Sequence, residues 1–183
     1  MSTPNKAAFL DRDGVINEDH GYVYLAEDFH FIEGVFDACL QLQSLDFRII
    51  VVTNQAGIGY GYYTESDFQE LNQWMLAQFS NHGINITAVY YCPFHPQAKL
   101  LKYRRVSPYR KPGPQMLLDA ADEHKLDLSS SFIVGDKLSD LEAGRSAGIG
   151  NGYFIGQAAD LDEGYKQFAA YGSLYELVKS EFV

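Results

Sequence analysis

The stretch Phe9-Leu10-Asp11-Arg12-Asp13-Gly14-Val15-Ile16-Asn17 joins an apolar run to two carboxylates and a turn-forming glycine. Residues 7–10 predict a short buried strand. If the chain stays extended beyond Leu10, the strand period of two places Asp11 and Asp13 on one side. Two close carboxylates need a cation, a shared proton or solvent between them. The pair therefore predicts either a nucleophile or metal ligand beside an acid–base group, or an ordinary Asp-Gly turn.

Length and composition limit the classes of protein to which this chain can belong. The 183 residues are predicted to form a single domain over 1–183, and 46% hydrophobic with 21% charged residues is typical of a globular protein. No apolar run reaches membrane-spanning length, and residues 1–6 lack the apolar core of a signal peptide. The two cysteines, Cys39 and Cys92, give no disulfide framework and favour a reducing cytoplasm.

The charge distribution is uneven. A net charge of −10 disfavours nonspecific binding to nucleic acid or to an anionic membrane. Between Leu71 and Leu118, however, there is no Asp or Glu, and six of the chain's 14 Lys and Arg lie there: Lys99, Lys102, Arg104, Arg105, Arg110 and Lys111. This basic region indicates a small anionic ligand, while residues 99–105 also fit a solvated surface loop.

Apolar periodicity and turn residues predict an alternation of strands and helices. Further strands are predicted at 48–52, 86–91, 132–134 and 152–155, with helices at 34–45, 64–79, from 114, 139–147 and 174–182. Thr64 and Ser139 are predicted to begin capping boxes, and residues 57–61 a glycine-rich loop. The long loop 92–112 favours a binding role. We therefore predict an α/β fold, a Rossmann-like parallel sheet with helices on both faces.

Polar residues follow several of these strands. Asp11 and Asp13 follow the first, Thr53 and Asn54 the second, and Asp136 the fourth, while Arg110-Lys111 lies in the loop after the third. Ligands of open parallel sheets bind at the carboxyl ends of the strands, so these residues are expected to converge. Carboxylates, a hydroxyl and a lysine together predict a hard-cation site, Mg²⁺ in particular, that holds a phosphate.

At this point the chain resembles the phosphatases of the haloacid dehalogenase superfamily. The matching motifs are Asp11-Arg12-Asp13-Gly14-Val15, Thr53-Asn54, Lys111 and Gly135-Asp136-Lys137-Leu138-Ser139-Asp140. More closely, it is similar to the branch that contains heptose 1,7-bisphosphate 7-phosphatases and histidinol-phosphate phosphatases. Residues 19–23, 52–58, 91–93, 95–96 and 110–112 carry that similarity. The resemblance implies a capless fold, in which loops define the substrate pocket.

The same resemblance implies the chemistry. It implies a Mg²⁺-dependent phosphatase that removes the 7-phosphate of D-glycero-D-manno-heptose 1,7-bisphosphate through an aspartyl-phosphate, in ADP-heptose synthesis for lipopolysaccharide. Asp11 is then the nucleophile and Asp13 the general acid and base, while Thr53 and Lys111 bind the transferring phosphoryl group. The implied metal ligands are Asp11, Asp136 and the backbone carbonyl of Asp13. The expected substrate-binding residues are Asp19, His20, Gly21, Tyr22, Thr53, Asn54, Gln55, Arg110, Lys111 and Lys137.

Other functions compete with this one. Within the enzyme class, the chain could be a histidinol-phosphate phosphatase or an α-anomer heptose bisphosphatase. A catalytically inactive phosphosugar-binding protein would be expected to have lost Asp11 or Asp13, and both are present. The net charge of −10 disfavours the hypothesis that the chain is a phosphatase acting on nucleic-acid ends. The expected partner is a small phosphorylated sugar, with no nucleic acid and no membrane, and the family implies a monomer.

The loop after the third strand departs from the family pattern. Many relatives bind a structural zinc there through a Cys-x-His pair and a later Cys-x-Cys pair. The matching positions here are Cys92, Phe94, Ser107 and Tyr109, so one ligand of four remains, and His95 would add only a second. We expect Phe94 to pack against Tyr109 in place of the metal. Prolines are expected to restrict the loop backbone, above an apolar cluster of Phe94, Leu100, Leu101, Tyr103, Val106 and Tyr109.

We therefore predict that the protein binds no structural zinc. Elemental analysis of protein purified without added metal should find zinc far below one ion per chain, because a closed zinc site needs four ligands. Cys92→Ser should cost little activity, since the thiol has no metal to hold. Stoichiometric zinc whose removal by EDTA unfolds the protein would contradict this prediction.

Overall fold

The computed structural model describes residues 5–183. The strands within this range are β1 Lys6–Leu10, β2 Phe47–Asn54, β3 Ile86–Cys92, β4 Phe132–Gly135, β5 Asn151–Ile155 and β6 Ala169–Tyr171. The α-helices are α1 Val35–Ser44, α2 Ala56–Tyr60, α3 Glu65–Asn81, α4 Gln115–His124, α5 Leu138–Ala147 and α6 Leu174–Glu181. None of the helices in this range combines the length and apolar character needed to cross a membrane.

The six strands form one sheet in the order β3-β2-β1-β4-β5-β6, and every neighbouring pair is parallel. The chain builds outward from β1 to β3 on one side and then from β4 to β6 on the other. Leu10, at the end of β1, pairs with Val51 of β2 and with Val134 of β4. The strand order therefore reverses between β1 and β4, which is where open α/β sheets bind their ligands.

Helices cover both faces because successive strand residues point to opposite sides. In β1, Ala8 and Leu10 belong to one buried cluster, and Ala7 and Phe9 to the other. The first cluster receives apolar residues from α1, α3 and α6, and the second from α4 and α5. The central strands β1 and β4 are therefore buried on both faces. The predicted sheet with helices on both faces is confirmed.

Two local predictions were wrong, and one strand was missed. Residues 56–60, expected within a glycine-rich loop, form α2, which ends at Gly61 in the left-handed region. Helix α5 begins one residue before Ser139, and its first turn is capped by the Asp140 carboxylate, which accepts the Lys137 backbone N–H. Strand β6 is three residues long and follows residues with no β pattern, so it escaped the sequence analysis. The capping box at Thr64 is confirmed, since Thr64 and Asp67 exchange hydrogen bonds.

The 92–112 loop packs differently from the prediction. Leu101 and Val106 are 78% and 84% exposed, so they do not join an apolar cluster. The Phe94 ring instead lies under the Arg105 guanidinium, 3.7 Å from its carbon, and contacts the Tyr103 ring. Tyr109 is 38% exposed, and the nearby Asp119 carboxylate raises the pKa of its phenol. The predicted packing of Phe94 against Tyr109 is therefore wrong. The Arg105 guanidinium covers the Phe94 ring instead, in a cation–π contact.

Candidate active site

Asp11 stands at the end of β1, where its backbone N–H still donates to the Val134 carbonyl of β4 at 3.0 Å. The side chain is buried, with 6% of the residue exposed. Its Oδ1 accepts the Arg12 backbone N–H at 2.7 Å and lies 3.0 Å from the Lys111 Nζ. Because both contacts use Oδ1, the other oxygen is the one available for reaction.

Lys111 is the buried cation of the site. Its Nζ donates to the Val52 carbonyl at 2.7 Å and lies 3.0 Å from Asp11 Oδ1 and 2.5 Å from Asp140 Oδ1. The lysine backbone is fixed as well, because the Asn54 side chain donates to the Lys111 carbonyl and accepts its N–H. All three ammonium protons thus have acceptors, and β2 holds the loop that delivers the lysine.

Asp136, directly after β4, completes an acidic cluster. Within residues 5–183, carboxylate oxygens of Asp11, Asp136 and Asp140 all lie within 4.8 Å of one another. Asp140 Oδ1 lies 2.5 Å from the Lys111 Nζ and its Oδ2 accepts the Lys137 N–H, whereas Asp136 Oδ1 is buried with neither a hydrogen-bond partner nor an ion-pair contact in this part of the chain. Lys111, and Lys137 with its Nζ 3.4 Å from Asp136 Oδ2, leave one of the three carboxylates unbalanced. Asp11 and Asp136 therefore fit the oxygen ligands of Mg²⁺.

The turn at Gly14 leaves the space that Asp136 occupies. Gly14 has φ +87°, and a Cβ built there would lie 2.3 Å from Asp136 Oδ2. A side chain at this position would therefore be strained in its backbone and would push the carboxylate away from Asp11. This explains why the second half of the Asp-Gly turn is glycine.

Burial and crowding of like charges shift the pKa values of the cluster. Burial raises the pKa of Asp11 to about 7, against the opposing effect of Lys111 and with the help of Asp140 and Asp13. Burial also raises the pKa of Asp136 to about 6. For Lys111, burial favours a lower pKa, but the Asp11 and Asp140 carboxylates outweigh it and the pKa is raised. Lys111 stays charged, and the carboxylates gain from a cation in addition to Lys111 and Lys137.

The Asp13 side chain points away from this cluster. Its Oδ1 accepts from Arg12 at 2.8 Å and from Asn17 at 3.0 Å, and its Oδ2 accepts from Gln55 at 3.2 Å. Arg12 is 2% exposed and also donates to the Val23 carbonyl at 2.7 Å. A carboxyl group held in one orientation, outside the metal cluster, has the geometry of a general acid and base.

Thr53 and Gln55 lie at the carboxyl end of β2. Gln55 donates to Thr53 Oγ1 at 2.8 Å, and the Tyr63 hydroxyl donates to the Gln55 carbonyl oxygen. Since the Thr53 oxygen accepts from Gln55, its own proton remains available to a ligand. Asn54 lines the pocket, but its amide is occupied by the Lys111 backbone. Its geometry is that of a residue that positions the lysine.

A pocket of about 630 Å³ opens over these groups. Eight of the ten predicted substrate-binding residues line it: Asp19, Gly21, Tyr22, Asn54, Gln55, Arg110, Lys111 and Lys137. Lys137 bonds Asp19 at 3.1 Å, which ties the loop after β1 to the end of β4. Thr53 lies buried beneath Gln55, and His20 is exposed and pairs with Glu18 at 3.0 Å. The structure thus brings the predicted substrate-binding residues together at or directly beneath the pocket, except for His20, which lies outside it.

Sequence reasoning missed several residues of this site. Asp140 was named in the matching motif and as part of a helix cap but was given no role in the site, although its place four residues after Asp136, on the first turn of a helix, was a usable signal. Arg12 was given no role, although a cationic residue between two aspartates was an equally clear signal. Tyr60, Tyr63, His95 and Ser139 also line the pocket. His95 and Ser139 stood in motifs that the sequence analysis named, without a role in substrate binding, and no pattern marked Tyr60 or Tyr63.

Comparison with known proteins agrees with this geometry. A sequence profile described as HAD-hydrolase-like matches residues 108–151. Over 151 residues the chain is 49% identical to D-glycero-alpha-D-manno-heptose-1,7-bisphosphate 7-phosphatase of Burkholderia mallei, which covers 82% of this chain and 80% of that protein. Over 150 residues it is 46% identical to the corresponding beta-named phosphatase of Escherichia coli, with coverages of 82% and 78%.

The chain belongs to the heptose-1,7-bisphosphate 7-phosphatase family of the haloacid dehalogenase superfamily. A solved member of this family, D,D-heptose 1,7-bisphosphate phosphatase from B. bronchiseptica, was crystallised with magnesium and phosphate. It superposes with a TM-score of 0.80 at 26% identity, covering 96% of this chain and 97% of that one. The acidic cluster described above fits an ion of this kind.

The acidic cluster generates a prediction about stability. In EDTA at pH 8, Asp136→Asn should unfold at a higher temperature than the wild type, because it removes a buried charge close to Asp11. The gain should be on the order of 1 kcal/mol, or about 2–4 °C in Tm. Adding Mg²⁺ should raise the Tm of the wild type and leave the variant nearly unchanged.

Thermal unfolding followed by circular dichroism measures both effects. The matched control is Asp122→Asn, since Asp122 is 90% exposed and pairs only with the surface Lys125. That variant should respond to Mg²⁺ as the wild type does. An equal Mg²⁺-dependent rise in Asp136→Asn would contradict a metal-binding role for Asp136.

Proposed function

We propose that this protein is a phosphatase that hydrolyses the 7-phosphate of D-glycero-D-manno-heptose 1,7-bisphosphate, in the supply of ADP-heptose for lipopolysaccharide. The observation that carries the proposal is the buried group of Asp11, Lys111 and Asp140 at the foot of the pocket, beside the unpartnered oxygen of Asp136. The 46–49% identity to phosphatases named for this substrate supports the choice of sugar.

The proposed metal is Mg²⁺. The Asp11 and Asp136 carboxylates and the backbone carbonyl of Asp13 would hold it, and Asp140 would keep Lys111 in place beside them. When bound, the ion offsets the repulsion between the anionic nucleophile and the anionic phosphate. This assignment uses hard oxygen donors only, as Mg²⁺ prefers.

In the proposed mechanism, Asp11 attacks phosphorus in line and forms an aspartyl-phosphate. The bond from phosphorus to the sugar oxygen breaks, and Asp13 donates its proton to that oxygen. Asp13 then takes a proton from the water that attacks the aspartyl-phosphate, which releases phosphate and restores Asp11. Arg12, Asn17 and Gln55 orient Asp13 through both steps.

Lys111 and Thr53 stabilise the transferring phosphoryl group in this proposal. The Thr53 hydroxyl proton is free to bond a phosphoryl oxygen, because its oxygen accepts from Gln55. Lys111 can exchange its contact with Asp11 for a phosphoryl oxygen, since Val52 and Asp140 continue to hold its other protons. A donor fixed before the reaction stabilises developing charge without a reorganisation cost.

The remaining assignments extend the same proposal. We propose one catalytic domain over residues 1–183, in which the loops around the pocket select a small phosphosugar and bind no nucleic acid or membrane. Arg110 would hold the second phosphate, and His20 would act only at the rim. A cytoplasmic monomer without structural zinc is part of the proposal, and the free, buried thiols of Cys39 and Cys92 suit that reducing compartment.

Phosphate release from the α- and β-anomers of heptose 1,7-bisphosphate and from histidinol phosphate, with and without Mg²⁺, tests this function. We expect Mg²⁺-dependent release from a heptose bisphosphate with kcat/KM at least about a hundredfold above that for histidinol phosphate, since a lost phosphate contact is worth several kcal/mol. Folded Asp11→Asn should release none, because an amide cannot attack phosphorus. Preference for histidinol phosphate would overturn the substrate, and activity of Asp11→Asn would overturn the mechanism.

A further inference from the structure

One side of the pocket is built from residues to which the chemistry described above gives no role. Tyr60 from the end of α2 and His95 from the loop after β3 face each other there, with ring centroids 5.2 Å apart. The His95 segment is fixed by its backbone, because its N–H donates to the Tyr103 carbonyl. Arg110 lies beside the pair and lines the same pocket. This aromatic and basic side is separate from the buried carboxylates.

The hydrogen bonds of His95 define its tautomer. The Gln97 backbone N–H donates to His95 Nδ1 at 3.0 Å, so Nδ1 is an acceptor. Burial and the nearby Arg110 cation lower the pKa of His95, which keeps the ring neutral. A neutral imidazole with Nδ1 as acceptor carries its proton on Nε2. His95 therefore offers an N–H donor whose direction the loop has fixed.

The Tyr60 hydroxyl is a second donor. It lies 3.0 Å from His95 Nδ1 and 3.5 Å from Nε2. The single in-plane lone pair of Nδ1 already accepts the Gln97 N–H. The Tyr60 hydroxyl proton would therefore have to share that acceptor with the Gln97 N–H. An anion entering the pocket would provide a better one.

Arg110 supplies the charge. Its Nη1 is buried and has no hydrogen-bond partner in the part of the chain that the structure describes. The other charged residues of the lining are paired: Asp13 with Arg12, Asp19 with Lys137, and Lys111 with Asp11 and Asp140. A guanidinium with an unpaired buried donor is costly, and because Arg110 lines the pocket, a phosphate bound there would compensate its charge.

We propose that His95 Nε2 and the Tyr60 hydroxyl join Arg110 Nη1 in a subsite for the second phosphate of a sugar bisphosphate, the one that is not transferred. This inference rests on the proposed function and adds the residues that distinguish a bisphosphate from a monophosphate. The three residues come from three chain segments and line the same pocket, in which the carboxylates of Asp13 and Asp19 are paired with Arg12 and Lys137. The subsite recognises the dianionic phosphate itself, so it favours any bisphosphate of suitable length over its monophosphate.

The test compares kcat/KM for two pairs of substrates, heptose 1,7-bisphosphate with heptose 7-phosphate and fructose 1,6-bisphosphate with fructose 6-phosphate. In His95→Asn the ratio of bisphosphate to monophosphate should fall about tenfold, through KM, because one hydrogen bond to a charged group is lost. Asparagine can still accept the Gln97 N–H in an Asx turn, so the loop keeps its conformation. Tyr60→Phe keeps the ring, loses the donor, and should lower the ratio similarly.

His82→Asn is the matched control. His82 is exposed and stacks on Phe36, away from the pocket, so its substitution should leave the ratio unchanged. Equal loss for bisphosphate and monophosphate in His95→Asn and Tyr60→Phe, or no loss at all, would overturn the subsite. If the wild type releases no phosphate from the heptose compounds, the proposed function fails, and the fructose pair then decides the subsite alone. A wild type without preference for either bisphosphate overturns it as well.

Discussion

The ammonium of Lys111 holds the catalytic edge of this protein together. It is buried against the carboxylates of Asp11 and Asp140 and the carbonyl of Val52, so it joins β1, β2 and α5 at one point. Removing one partner of a buried ion pair typically costs about 3–5 kcal/mol, because the other charge is left uncompensated. The contact is therefore structural as well as chemical, and the groups that perform catalysis also fix the loop after β3.

Sheet topology explains why residues so far apart in sequence can share this cation. The strand order reverses between β1 and β4, and the carboxyl ends on either side of the reversal leave a crevice that no crossover helix fills. Asp11 and Asp136 enter it from adjacent strands, and Lys111 reaches it from the loop after β3 because Asn54 of β2 holds its backbone. In the proposed subsite, the substrate is selected by residues at the rim of this crevice, namely Arg110, Tyr60 and His95.

The periodicity of apolar residues and the positions of the strand ends were enough to predict five of the six strands and the convergence of Asp11, Thr53 and Asp136, since both follow from backbone geometry. Contacts that depend on how a helix or loop sits on the sheet were not predictable. Asp140 was visible as a cap, but its contact with Lys111 requires the position of α5. Phe94 was expected to pack on Tyr109, yet Arg105 covers it, because several nearby side chains compete for one aromatic face and local sequence does not rank them.

The central claim is that Asp11, held by Lys111 and free at its second oxygen, is the group that takes up phosphate. Reduction with borohydride during turnover of heptose 1,7-bisphosphate tests this directly, because an aspartyl-phosphate is reduced to homoserine while a free carboxylate is not. Mass spectrometry of the peptide that contains residues 9–17 should find homoserine at position 11, dependent on both substrate and Mg²⁺. Homoserine at position 13, or an unmodified peptide while phosphate is being released, would contradict the account.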